Sequence, residues 1–320
     1  MTQLRTKTLS LLIVLLLTAA GATPETTQAQ YTRPGSVSAT FLNLGVSARA
    51  AGMGGAYIAM VDGATGTYYN PSALPWQGEG THIAFNHLEY FANINHEFMA
   101  VSRTFDDLGT FGASVTGLYT DQMKVRTPVQ QGGTGATFVA TSVQGTISYA
   151  RRLTDHVTFG GSVRGISLNL YQGFTEQAVA ADIAASYEAD FRDFRFGMMI
   201  SNIGSEVKFV DEAYPLPVEF TFGARMMAAR FGQQKVLATT SAFKPNDGAP
   251  KGQVGAEYSF RDLFFLRGGY KINYDAKDFS FGGGVKVDAA GVGMRVNYGY
   301  AAWGKSLLGQ THRFSLDLTI

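Results

Sequence analysis

The 320-residue chain contains no cysteine, which excludes disulfides, thiolate metal sites, thiol nucleophiles and a lipid-modified amino-terminal cysteine. Charge is scarce and balanced: charged residues make up 16% of the chain and the formal net charge is +1, so nothing draws it to nucleic acid. Long apolar runs are also lacking. Leu9 to Leu17 is the one sustained stretch, and no second run approaches the twenty residues that a spanning helix needs. If the chain enters a membrane, it must do so as strands.

The run at Leu9 to Leu17 follows Arg5 and Lys7 and precedes Ala19, Ala20, Gly21 and Ala22, the layout of a secretory signal peptide. Cleavage after Ala22 or, better, after Thr27-Gln28-Ala29 is expected; the latter removes residues 1–29 and starts the mature chain near Gln30. Against only 9 Pro and 2 Trp stand 38 Gly, 23 Phe and 15 Tyr, a composition suited to many closely packed strands with aromatic surfaces. The expected fold class is all-β.

From His82 onward the hydrophobic period is two. Val218, Phe220, Phe222, Ala224 and Met226 share one face, opposite Glu219, Thr221, Gly223 and Arg225; Val292, Met294, Val296, Tyr298 and Tyr300 oppose Gly293, Arg295, Asn297 and Gly299. Fourteen strands are expected, at residues 82–90, 96–105, 110–119, 141–150, 157–171, 179–188, 194–202, 218–227, 235–242, 253–260, 263–272, 279–287, 292–300 and 312–320. Many are near the ten residues that a tilted strand needs to cross hydrocarbon. Connections after even-numbered strands are brief (106–109, 153–155, 190–193, 261–262, 288–290), whereas several after odd-numbered strands are long (120–140, 203–217, 243–252, 301–311). That sorting of loop length is expected of an outer-membrane β-barrel and not of a soluble sandwich. The barrel is assigned to residues 81–320, with both termini in the periplasm. Two irregularities stand out: an apparent change of parity near Gly165, read as a bulge, and the mixed face Ile83, Phe85, His87 and Glu89.

Residues 30–80 precede the first strand. The sequence AGMGGAYIAMVDGATGTYYNPSAL (51–74) brings together Gly52, Gly54 and Gly55, then Asp62, then Asn70-Pro71. The glycines lack the spacing, the Lys-Ser/Thr pair and the preceding strand of a phosphate loop. A steric reading remains: short helices around 48–61, folded inside a barrel too wide for its own side chains to fill, need small residues for close approach. This makes residues 30–80 an N-terminal plug segment.

The stretch SARAAGMGGAYIAMVDGATGTYYNPSAL resembles the N-terminal signature of the PorV/PorQ family of outer-membrane proteins, itself similar to the FadL fatty-acid transporters, whose plugs also carry an Asn-Pro motif. NIGSEVKFVDEAYPLPVEFTFG (202–223), LRGGYKINYD (266–275) and THRFSL (311–316) extend the resemblance over nearly the whole mature chain. It implies a FadL-like barrel of the type IX secretion pathway, with C-terminal signal domains of secreted cargo and other secretion components as partners. Outer-membrane lipid and lipopolysaccharide would surround it. The same resemblance supports an alternative, a transporter of small hydrophobic compounds, and a purely structural surface protein is a third reading.

Several residues are candidates for a role. Arg225, Glu257, Arg267, Arg295, Arg313 and Asp317, with Arg195, Glu219, Lys271 and Lys286, lie opposite apolar faces and are expected to point into the lumen. Their mixed signs favour pairing with a plug over an ion-selective pore. Phe174, Phe209, Tyr214 and Trp303 fall in expected outer loops as candidate contacts. His87 and Glu89 share a face without a suitable third ligand, and Asp211-Glu212 reads as a solvated loop pair. No catalytic residue, metal site or cofactor is expected.

Overall fold

The structure, a computed structural model, describes residues 33–171, 173–274, 279–289, 291–302 and 310–320, with only the backbone of Ala302. The expected signal peptide, residues 1–29, and Trp303 lie outside the described residues.

Fourteen strands form one closed ring: β1 (Thr81–Glu89), β2 (Ile94–Phe105), β3 (Gly109–Thr120), β4 (Thr141–Arg152), β5 (Val157–Tyr171), β6 (Phe174–Ala189), β7 (Phe194–Gly204), β8 (Glu219–Phe231), β9 (Gln234–Pro245), β10 (Lys251–Phe260), β11 (Phe264–Ile272), β12 (Phe279–Ala289), β13 (Val292–Ala302) and β14 (Gln310–Thr319). Each pairs antiparallel with the next in sequence, and β14 returns to β1 with His82 opposite Thr319 and Glu89 opposite His312. Closure leaves no strand edge, the condition a backbone must meet in hydrocarbon. The all-β expectation and the number of strands are both met.

Alternation decides what each face meets. Met99, Val115, Ile147, Val163, Leu266 and Phe281 stand on the outside and are exposed, while Ser102, Thr116, Thr146, Ser162, Glu257 and Arg267 are buried on the inside. A continuous apolar belt on the outside of a closed ring is stable against lipid and unstable against water, so the ring is a transmembrane barrel. Among the described residues no helix is long and apolar enough to cross a membrane.

At one end the turns are short, as at 106–108, 153–156, 190–193 and 232–233. At the other, the β3–β4 connection carries a small ladder of Met123–Lys124 with Thr137–Phe138, and the β7–β8 connection one of Val207–Lys208 with Ala213–Tyr214. Two connections at this end, 90–93 and 172–173, are brief, so the sorting of lengths is real but incomplete.

The bulge expected near Gly165 is absent. Gly165 pairs with Gly145 on one side and Val179 on the other in unbroken register. Ile166 and Leu168 stay on the inner face and are buried against Phe41 and Leu42, so polarity changes there while parity does not. The register shifts instead fall between Asn169 and Tyr171 in the β5–β6 pair and between Ala181 and Ile183 in the β6–β7 pair. The mixed face of β1 has a simpler cause. Phe85 belongs to the exposed belt, whereas His87 sits closer to the loop end, where its Nδ1 lies 2.7 Å from Glu97 Oε1.

The belt can be tested. Ile147→Arg places a cation on the lipid face midway along β4 and is expected to lower barrel stability by about 2–4 kcal/mol, read by urea titration in lipid vesicles.

Candidate functional site

Residues 40–76 fold as short turns: a 3-10 turn at Thr40–Asn43, helix α1 (Ala48–Gly52), a turn at Gly63–Thr65, helix α2 (Gly66–Tyr69) and a turn at Pro71–Trp76. Ser47 Oγ caps α1 by accepting from Ala50 N, and Asn70 caps the last turn by accepting from Ser72 N, with Pro71 at the position where a missing N–H costs nothing. These helices are too short to persist in water on their own. Their side chains are instead buried, with Val46, Met53, Ala59, Met60, Val61 and Leu74 fully so.

The glycines explain how closely this inner segment meets the wall. Gly54 adopts φ 70°, a conformation that side chains disfavour, and ends α1 against β11. A Cβ on Gly269 of that strand would lie 2.1 Å from Gly54 N, so here backbone rests on backbone. Gly52 meets Gly282 of β12 in the same way, and a Cβ on Gly55 would lie 2.8 Å from Gln253 Nε2. Each of the three sequence-selected glycines therefore sits at a tight contact.

A chain of alternating charges fastens the segment. Arg49 donates from Nε and Nη2 to Glu257 of β10 at 2.8 and 2.7 Å, and from Nη1 to Asp62 at 2.7 Å. Arg267 Nε also donates to Glu257, at 2.6 Å, and Arg295 Nη1 reaches Asp62 at 3.1 Å. Burial alone would raise the Asp62 carboxyl, but the guanidiniums of Arg49 and Arg295 hold it well below the usual carboxylate range. Its contribution to docking is thus complete above its unfolded value of about 3.9 and is lost only as pH falls well below that.

The other candidates fall nearby. Arg313 Nη1 donates to Gly45 O, Asp317 accepts from Asn297 Nδ2 at 2.9 Å, and Arg225 Nη2 reaches Glu188 at 3.3 Å. Asn70 is fully buried: its Nδ2 donates to Ile58 O and to Ser186 Oγ, both at 3.0 Å, and its Oδ1 accepts from Ser72 Oγ at 2.6 Å. The strand charges selected from sequence are thus gathered on one inner surface with Asp62 and Asn70.

Sequence reasoning missed Arg49 itself, although a lone arginine within an Ala- and Gly-rich run was the visible signal. It also missed the pair Arg164–Asp182, both buried, in which Arg164 Nε donates to Asp182 Oδ2 at 2.6 Å. The supposed bulge obscured the face that Arg164 occupies.

The outer-loop aromatics do not act as a set. Phe174 is the first residue of β6, and Phe209 packs partly buried against the cluster of Phe41, Leu42, Ile166 and Leu168, drawn inward by apolar contact. Tyr214 remains exposed in its ladder and donates to Glu212 Oε2 at 2.9 Å. Among the described residues no group of three or more His, Asp or Glu is placed to hold a metal ion.

Above the segment, toward the loop-bearing end, a cavity of about 410 Å³ remains in the lumen. Leu42, Leu44, Ile58 and Met199 give it apolar walls, and Lys271, Lys251, Arg313 and Glu219 give it charged ones. A second hollow of about 380 Å³ opens in the wall, lined by Val143, Gly165, Ile166, Ser167, Gln177, Ala178, Val179 and Ser205. Ile166 and Ala178 at the hollow and Leu42 at the cavity belong to one apolar cluster.

No family model and no curated protein matches the chain. Among solved structures it is similar to the toluene transporter TodX of Pseudomonas putida (14% identity, TM-score 0.59) and to the toluene transporter TbuX of Ralstonia pickettii (14%, 0.57), each over 86% of this chain and 97% of theirs. CymD, a monoaromatic hydrocarbon channel, follows at 13% identity and TM-score 0.54 over the same shares. The chain has the fold of these barrels, and at such identity the likeness is one of fold.

Removing the shared carboxylate is a direct test of the clamp. Glu257→Ala leaves Arg267 without a carboxylate partner and Arg49 with Asp62 alone, and is expected to cost about 3–5 kcal/mol. Limited proteolysis should then cut within residues 33–80 at a protease concentration that spares the parent.

Proposed function

We propose that the chain is an outer-membrane barrel that passes small hydrophobic or amphipathic molecules, with outer-membrane lipid and lipopolysaccharide around its belt and no chemistry performed on the cargo. The observation that carries this reading is the pair of hollows separated by one apolar cluster. A volume of about 410 Å³ is that of a small-molecule site, and its mixed lining suits a molecule with an apolar body. From there, displacing the contacts among Leu42, Ile166 and Ala178 opens a route to the wall hollow and so to the lipid. The register shift between Ala181 and Ile183 interrupts the ladder close by. The fold shared with toluene transporters supports the same direction. In this reading residues 40–76 are the plug that separates the cavity from the periplasm.

A second reading, escort of type IX secretion cargo by a barrel of the PorV/PorQ kind, is supported by the sequence motifs and by the two ladders that stiffen the β3–β4 and β7–β8 connections. Cargo bearing a C-terminal signal domain would meet those connections, because a folded domain cannot enter a lumen filled by residues 40–76.

The two readings use different residues. A Cβ on Gly165 meets nothing within 4 Å, so Gly165→Trp starts from open space and sets an indole at the wall hollow that Gly165 lines. Uptake of toluene by proteoliposomes should fall several-fold while the barrel keeps its heat-dependent gel shift; unchanged uptake removes the lateral route. Shortening residues 125–136, which line neither hollow, should leave uptake intact. If it instead abolishes co-purification of proteins bearing C-terminal signal domains, the escort reading prevails.

A further inference from the structure

One short sequence occurs twice at the short-turn end: Phe191-Arg192-Asp193-Phe194 between β6 and β7, and Phe260-Arg261-Asp262-Leu263 between β10 and β11. Both copies make the same turn. Phe194 N donates to Phe191 O, Leu263 N donates to Phe260 O at 3.1 Å, and the central Arg and Asp of each copy have φ between 51° and 57°. Arginine is poorly matched to that left-handed backbone, which Gly, Asn and Asp adopt more readily. The turn itself does not demand it, since Phe91-Ala92-Asn93-Ile94 turns in the same way at the loop-bearing end with Ala92 and Asn93 in the central positions. Two arginines held against the preference of their own backbone are explained by a task of their guanidiniums.

The surroundings define that task. Asp193 is matched by Arg230 at 3.5 Å and Asp262 by Lys235, both cations of the β8–β9 hairpin that lies between the two turns. The arginines are left over. Arg192 Cζ lies 5.9 Å from the ring centroid of Phe191, and the side chain makes no hydrogen bond or ion pair among the described residues. Arg261 Cζ lies 5.3 Å from that of Phe260, and only its Nε is engaged, donating to Gln233 Oε1 at 2.7 Å. Both are exposed, so the terminal nitrogens of both forks are free for a ligand. With Asp190 counted, the three hairpin ends set Arg192, Arg230, Lys235 and Arg261 against Asp190, Asp193 and Asp262 and carry a surplus of positive charge.

The apolar side of the patch belongs to the belt. Phe231, Gln234, Phe260 and Phe264 stand opposite one another in turn across β8 to β11, with Phe231 67% exposed and Phe191, in its turn, 72%. Aromatic rings at the edge of the hydrocarbon with unused guanidiniums just beyond them fit a molecule whose chains lie along the belt and whose anionic group sits at the turns.

We propose that each Phe-Arg-Asp turn is a docking site for the phosphate of an anionic phospholipid, held by Arg192 beside Arg230 at one turn and by Arg261 beside Lys235 at the other. The planar fork of arginine meets two phosphate oxygens at once, which lysine cannot do. The lipids are those of the leaflet at the short-turn end, and the sites stand whether the barrel transports or escorts its cargo.

Native mass spectrometry counts the lipids directly. Purified barrel is mixed in detergent with equal amounts of phosphatidylglycerol and phosphatidylcholine of the same acyl chains, and the parent is expected to retain up to two molecules of phosphatidylglycerol in excess over phosphatidylcholine. Arg192→Asn and Arg261→Asn remove a guanidinium and leave a residue that the left-handed backbone accepts, so the barrel keeps its heat-dependent gel shift. Each single variant should retain one such lipid and the double variant none. A double variant with the parent's count overturns the proposal, as does a parent without preference between the two lipids. Loss of the bound lipid to excess inorganic phosphate makes these sites for free phosphate, and lipopolysaccharide retained equally and lost in the same variants makes them sites for that glycolipid; either result overturns the choice of phospholipid.

Discussion

A ring of fourteen strands encloses more space than inward side chains can fill, and everything else in this protein answers that excess. The wall makes the gap wider where it carries Gly255, Gly269, Gly282 and Gly299 on the inner faces of β10 to β13, and the inner segment occupies it with its own backbone. Contact of backbone on backbone tolerates no added methyl group. Position is therefore set by shape, and the short helices, which have no stability of their own, borrow it from the wall.

Polarity is then arranged around that contact. The inner faces of β10, β11 and β13 supply Glu257, Arg267 and Arg295, and the segment supplies Arg49 and Asp62, so that five charges alternate in sign along one chain. Each carboxylate is shared by two guanidiniums, and for the buried Glu257 this offsets the cost of withdrawal from water only because its partners are fixed in place. The upper wall of β5 and β6 is the opposite case. There Ile166, Leu168, Ala178 and Ala180 face Phe41 and Leu42 with no ion pair among them. One sector of the lumen is clamped by charge; in the other, beside the pair Arg164–Asp182, Phe41 and Leu42 are held to the wall by apolar contact, and that is where a greasy molecule can compete.

These two sectors were not equally legible in the sequence. Strands such as β8 and β13 show lipid on one face and charge on the other, so their parity is evident from a single pass. In β5 the inner face becomes apolar at Ile166, and an apolar residue that meets an inner layer looks the same as one that meets lipid. Parity was misread for that reason. Phe209 was placed outside by the same ambiguity, since a loop aromatic carries no sign of whether it folds back. Arg49 was visible, but its partner Glu257 lies 208 residues away, and no local pattern connects them. Spacing reveals faces; it does not reveal which distant faces will touch.

The clamp also dictates an order of assembly. Helix α1 is synthesised before any strand, yet its docking surface is β10 to β13, among the last elements of the chain to be made. Ring closure itself waits for β14 to meet β1. Helix α1 thus has nothing native to rest on until the latest strands arrive, and contacts at great sequence separation must form together, a topology that folds slowly. During that interval an apolar stretch such as Val46 to Val61 is exposed, and a molecule that shields it in transit would act on the assembly of the barrel before any cargo reaches it.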